Sequence, residues 1–229
     1  MDSLRRNLRR LGWGLVRASE LKLSKSELDL LGDRDIEWSW VAGNLPADPG
    51  RVLDFGPSDA TTPLIAAMRG GQVFAIDLGA PPNTLYHHAG ITRVRGDLLT
   101  YDFGVQRFDT VINCSTVEHV GLPGRYGSAD SPDGDLRAMR KLHGLMAGRE
   151  SCMVLTIPVG RDGIYAPAHR VYGAARLPAL LEGFRIERQV YFAKSPEDRR
   201  WRETSRDAAL AVQGSASFYA LGLFVLGLA

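Results

Sequence analysis

Apolar and polar positions alternate in two distinct periods along this chain, and the period changes near residue 50. Before it, Leu4, Leu8, Leu11 and Leu15 recur at helical spacing with arginines between them, which predicts an amphipathic helix within residues 1–32. A second helix is expected from Asp33 to about Leu45, carrying Trp38 and Trp40 close to a ligand pocket, and Pro46, Pro49 and Gly50 end it. From Arg51 onward, short β-type runs alternate with helical ones. The predicted strands are Arg51–Phe55, Val73–Asp77, Ile91–Arg95, Asp109–Cys114 and Cys152–Ile157, with helices at Thr62–Arg69 and Asp135–Met146. Such alternation implies a parallel sheet with right-handed crossovers. Two further runs, Phe184–Ala193 and Phe218–Leu228, close the chain around a charged insert, Ser195–Arg206.

The expected architecture is therefore α/β and Rossmann-like. A seven-stranded, mostly parallel sheet with one antiparallel strand carries helices on both faces, and a helical arm precedes it. We divide the chain into an arm, residues 1–45, and a ligand-binding domain, residues 46–229.

The 229 residues suffice for one such domain and its arm, and a net charge of +2 is too small to argue for nucleic acid. Arg5, Arg6, Arg9, Arg10 and Arg17 nevertheless crowd the arm, which leaves open a peripheral membrane or protein contact there. The alternative is that the leucine stripe packs on the domain. Two cysteines, Cys114 and Cys152, lie in apolar runs, the start of the chain lacks a continuous apolar core of a leader, and Phe218–Ala229 is about half a membrane span. These features favour a cytoplasmic setting.

Candidate chemistry begins at the end of the first strand. Asp54-Phe55-Gly56-Pro57-Ser58 makes a tight turn of small residues before a helix, a geometry that lets backbone approach a nucleotide-like ligand. Asp77, with Leu78 after it, ends the next strand, where a carboxylate can accept both hydroxyls of a ribose. A dinucleotide fingerprint would need more glycines than Gly56, because Ser58 and Thr61 occupy their places.

The turn instead resembles the first motif of class I S-adenosylmethionine-dependent methyltransferases, with Asp54 and Gly56 matching and Ser58 and Ala60 replacing later glycines. Gly96-Asp97-Leu98 looks like the segment that meets adenine, Asn113-Cys114-Ser115 like the floor beneath methionine, and Glu118-His119 like a pair many members carry. The closing strands look like the family's terminal hairpin. The resemblance implies S-adenosylmethionine as cofactor. Ser115–Gly121 with Arg125-Tyr126-Gly127 and Asp133-Gly134-Asp135 is similar to a subgroup found among glycan and secondary-metabolite enzymes, which implies a small-molecule or glycan acceptor.

A hydroxyl acceptor calls for a general base, and histidine is the first candidate. Of the five histidines, His169 and His119 are expected at the carboxyl edge of the sheet, His169 ranking first as the base because the loop after the fifth strand is free to meet an acceptor, with Arg170, Tyr172, Arg125 and Tyr126 as acceptor contacts. His119 also has a bracing role open to it, and His87, His88 and His143 read as surface groups. Asp133 and Asp135 precede a helix and are expected to cap it rather than to hold a metal. Two other readings remain: an N-methyltransferase acting on an amine metabolite, and a nucleotide-binding module without catalysis.

Overall fold

The computed structural model describes residues 32–58, 61–79, 88–124, 126, 129–195, 197 and 200–229. The predicted leucine-striped helix, His87, Arg125 and Ala60 lie outside these residues.

Strands β1 (Arg51–Phe55), β2 (Gln72–Asp77), β3 (Ile91–Arg95), β4 (Thr110–Cys114), β5 (Cys152–Val159), β8 (Phe184–Lys194), β9 (Trp201–Thr204) and β10 (Ala220–Leu228) form one sheet in the order β3-β2-β1-β4-β5-β10-β8-β9. The five from β3 to β5 are parallel, and β10 runs antiparallel between β5 and β8. Strands β6 (Gly163–Tyr165) and β7 (His169–Val171) make a separate hairpin.

The period of two sorts the core. Val52, Val73, Ala75, Ile112 and Val154 face helices α1 (Arg34–Asn44) and α2 (Thr61–Met68). Leu53, Phe55, Ile76, Val111, Met153 and Leu155 face the other way, toward Ala138, Met139 and Leu142 of α3 (Gly134–Leu145). Helix α1, assigned to the arm from sequence, is seated on this core through Val41 and Leu45, both buried. Among the described residues no helix is long and apolar enough to cross a membrane.

The sheet has eight strands rather than the seven expected. The charged insert supplies the additional one: β9 pairs antiparallel with β8, burying Trp201 while Arg202 and Glu203 stay exposed. Charge on an edge strand guards its open hydrogen-bonding side, which is why this segment reads as a linker in sequence. Short helices α4 (Arg176–Leu180) and α5 (Arg206–Ala211) were also not anticipated, although Ser205 caps α5 by accepting from the Ala208 amide at 3.2 Å.

Candidate functional site

A cleft enclosing about 950 Å³ of open-sided space lies at the carboxyl ends of the parallel strands, where open α/β sheets place ligands. The turn after β1 forms one wall. Gly56 has φ 65°, and a Cβ there would fall 2.1 Å from Thr116 Cγ2, so the β1 and β4 turns touch only because this residue has no side chain. Thr116 Oγ1 completes the junction by donating to the Gly56 carbonyl at 2.9 Å. Ser58 holds φ 57°, uncommon for a residue with a Cβ, and its amide donates to Asp77 Oδ2 at 3.0 Å.

Asp77 also accepts from the Gly79 amide at 2.7 Å through Oδ1. A carboxylate offers about four lone-pair sites, so each oxygen keeps capacity for a ligand hydroxyl. Asp97 accepts from the Leu99 amide at 2.8 Å, and Leu78 and Leu98 line the space beside the two acids. Two hydrogen-bond acceptors flanking apolar side chains suit a flat base bearing a ribose. The residues present therefore fit an adenosine group.

Toward β4 and β5 the wall is made by α1. Glu37 is fully buried and accepts from Ser115 Oγ and, at 2.8 Å, from Thr156 Oγ1, while Arg34 Nη1 lies 2.5 Å from its other oxygen. Burial raises the Glu37 carboxyl above the usual range, and the Arg34 charge opposes that shift. The same contacts hold Ser115 at φ 47°, with its amide bonded to the Thr156 carbonyl at 3.0 Å. Arg34, Trp38, Thr62 and Thr116 line the cleft. Of these the sequence pointed only to Trp38. Trp40 turns away, donating to the Phe224 carbonyl at 3.3 Å.

His119 closes a 3₁₀ turn, Val117–His119, after β4. Its Nδ1 is 2.6 Å from the Ala168 carbonyl, its Nε2 is 3.7 Å from Glu118 Oε1, and its ring centroid is 4.8 Å from that of Tyr126. Glu118 is buried, and burial pushes its carboxyl up to about 8. The Cys114 thiol on the cleft floor is likewise raised by burial, so it stays neutral.

Gly56, Pro57, Ser58, Asp77, Leu78, Asp97, Leu98, Cys114, Ser115, His119 and Tyr126 thus come together around one cleft. Five expected residues do not line it. Asp54 is fully buried, because the alternation of β1 points it to the same face as Val52. Asn113 is buried on the opposite face, donating to Met139 Sδ and accepting from the Val117 amide.

His169 is 5% exposed on β7, bonded to the Ser215 carbonyl at 3.1 Å and stacked edge-on against Tyr219. Arg170, 1% exposed, clamps the segment after β4 by donating to the carbonyls of Val120 at 2.6 Å and Ser131 at 3.1 Å. Tyr172 donates to Asp135 at 3.1 Å, and Arg176 pairs with the same carboxylate at 2.6 Å. Asp135 is thereby consumed in a buried network, and Asp133, which makes no cap bond, pairs with Arg176 at 3.3 Å. Asp133 stands at the N-cap of α3 and Asp135 in its first turn, as expected, but their carboxylates are engaged by Arg176, which α4 brings beside them. His143, expected at the surface, is partly covered against Gly183 and Phe184.

Residues 98–209 match a family described as Caenorhabditis protein of unknown function, DUF268. No curated protein sequence matches the chain significantly. Among solved structures, it is similar to the 1,6-didemethyltoxoflavin-N1-methyltransferase of Burkholderia thailandensis, solved with 1,6-didemethyltoxoflavin and S-adenosylhomocysteine. The TM-score is 0.61 and the identity 16%, covering 96% of this chain and 89% of that one. The N-methyltransferase NodS of Bradyrhizobium japonicum, in complex with S-adenosylhomocysteine, gives 0.58 at 13% identity over 89% and 90%. Magnesium protoporphyrin IX methyltransferase of Synechocystis, with bound S-adenosylmethionine, gives 0.51 at 17% over 85% and 77%. The chain has the class I methyltransferase fold.

Proposed function

We propose that the protein is an S-adenosylmethionine-dependent methyltransferase acting on a hydroxyl of a sugar, glycan or small-metabolite acceptor. The observation that carries the reading is the pair Asp77 and Asp97 on successive strand ends, facing one cleft across from the Gly56–Ser58 turn. When bound, the cofactor supplies a methyl group on a positively charged sulfur. Asp77 would hold the ribose hydroxyls, and Asp97 with Leu98 the adenine. Arg34, the arginine among the described lining residues, would meet the ligand's carboxylate, with Glu37 keeping the guanidinium in place.

For a hydroxyl acceptor the proton must leave as the new bond forms, and a placed imidazole contributes roughly 10²–10⁴-fold. His119 takes this role in preference to His169, since His119 lines the cleft and His169 is packed between β7 and Tyr219. Replacing His119 with alanine is expected to lower turnover at least about 100-fold while leaving cofactor affinity nearly unchanged.

An amine acceptor is the second reading, favoured by the N-methyltransferases among similar folds. An amine already neutral needs little base, so His119→Ala would then be nearly silent. The experiment is incubation of the protein with methyl-labelled cofactor and cell extract, followed by isolation of the labelled product. A labelled ether supports the first reading, a labelled amine the second, and no transfer despite tight cofactor binding would reduce the protein to a binding module.

A further inference from the structure

We propose that Glu118 and His119 form an electrostatically coupled pair across 3.7 Å, with Glu118 the positioning residue that makes His119 a base. This rests on the methyl-transfer reading above and adds the device that controls it. The Ala168 carbonyl can only accept, so at 2.6 Å it fixes hydrogen on His119 Nδ1 and leaves the lone pair of the neutral ring on Nε2. That same Nε2 is the atom nearest Glu118, 3.7 Å from Oε1. The imidazole lines the cleft at 16% exposure, while the carboxyl behind it is 2% exposed. Glu118 Oε2 has no hydrogen-bond partner among the described residues. A buried carboxylate with one oxygen unbonded is unfavourable when charged, and Glu118 accordingly keeps its proton until about pH 8.

The backbone amide of Glu118 and the Arg34 charge oppose the rise without cancelling it, while Glu37 of α1 and Asp33 just before α1 add to it; Tyr172, after β7, and Tyr219, before β10, also face it. Arg170 reaches only the Glu118 backbone carbonyl, at 3.4 Å, and sits beside Asp135. The cation best placed to compensate an ionised Glu118 is the imidazolium that catalysis would create.

The proton balance follows. The acceptor O–H bond breaks and its proton moves to Nε2. The oxygen's electron pair forms the bond to the methyl carbon, and the carbon–sulfur pair stays on sulfur. If Glu118 is protonated, the imidazolium gains no carboxylate charge from this pair at a partly desolvated site. If Glu118 is ionised, the transfer leaves an imidazolium–carboxylate pair. The reactive form is thus the pair with one proton fewer, and its two protons leave in steps that belong to both groups.

The test needs no acceptor. The imidazole ¹³C and ¹⁵N signals of His119 are followed by NMR from pH 5 to 10 in the full chain and in Glu118→Gln. In the wild type, the ionisation of Glu118 near pH 8 should register as a step in the His119 signals, with Nδ1 protonated throughout. In Glu118→Gln that step should vanish. Superimposable curves, within about 0.3 pH unit, would overturn the inference. Should the glutamine variant not fold, the Glu118 carboxyl ¹³C signal in His119→Asn replaces it. A midpoint moved by about half a unit or more supports coupling, and an unmoved midpoint overturns it. Cofactor binding is measured on the same samples. Its failure would sink the methyl-transfer reading, whereas failure of the coupling alone sinks only the pair.

Discussion

Glu118 is fully enclosed, and its raised carboxyl ties stability to pH in a definite direction. In the unfolded chain it ionises in the ordinary carboxylate range, whereas the folded protein holds the proton until about 8. The folded state binds the extra proton between those values, so the contribution is full below the ordinary range and is lost as pH rises through 8. Thermal denaturation should show the wild type losing stability from pH 5 to 9, and Glu118→Gln losing less, by about 3–5 kcal/mol at the alkaline end. Equal slopes would mean that Glu118 is not enclosed as described. Asp77 and Gly56 were legible in sequence, since a strand end, a tight turn and an acid at the next strand end are local signals. Glu37 and Arg34 were not. Their role exists only because Glu37 meets Ser115 and Thr156, partners 78 and 119 positions away.

At the scale of elements, the β6–β7 hairpin does work that no periodicity announces. Three residues per strand are too few to show alternation, yet Ala168 orients His119 and Arg170 ties the segment after β4 to β7. Reading His169 as a base and Arg170 and Tyr172 as acceptor contacts followed from their place after β5, which was right, but their side chains are buried in the packing outside the cleft. Arg170→Ala should therefore act on stability. Removing a buried guanidinium bonded to several carbonyls and adjoining Asp135 is expected to cost about 3–5 kcal/mol in urea denaturation. A variant of unchanged stability that alters only acceptor KM would restore the contact reading. The main strands, by contrast, were found within two residues of their ends, because β1, β4, β5 and β10 are hydrophobic runs buried on both faces, which leave a strong pattern. Strand β9 escaped since its exposed charges resemble those of a linker.

For the whole molecule, the cleft is assembled from α1 and the strand ends together, so a cut within the predicted arm has consequences that depend on where it falls. Deleting residues 1–20 is expected to leave folding and cofactor binding intact. Deleting residues 1–45 removes Val41 and Leu45 from the core along with Arg34, Glu37 and Trp38 from the cleft, and should abolish both. Circular dichroism with a binding isotherm on the two truncations checks this, and cofactor binding by the longer deletion would show that α1 is dispensable. We expect this cleft to hold S-adenosylmethionine through Asp77, at the end of β2, and Asp97, two residues beyond β3. Calorimetric titration of S-adenosylhomocysteine into the wild type and Asp77→Ala tests it most directly. We expect saturable binding in the wild type and a loss of about 1.5–3 kcal/mol in the variant, roughly 10- to 150-fold in Kd. Absence of binding to the folded wild type, or equal affinity in Asp77→Ala, would contradict the account.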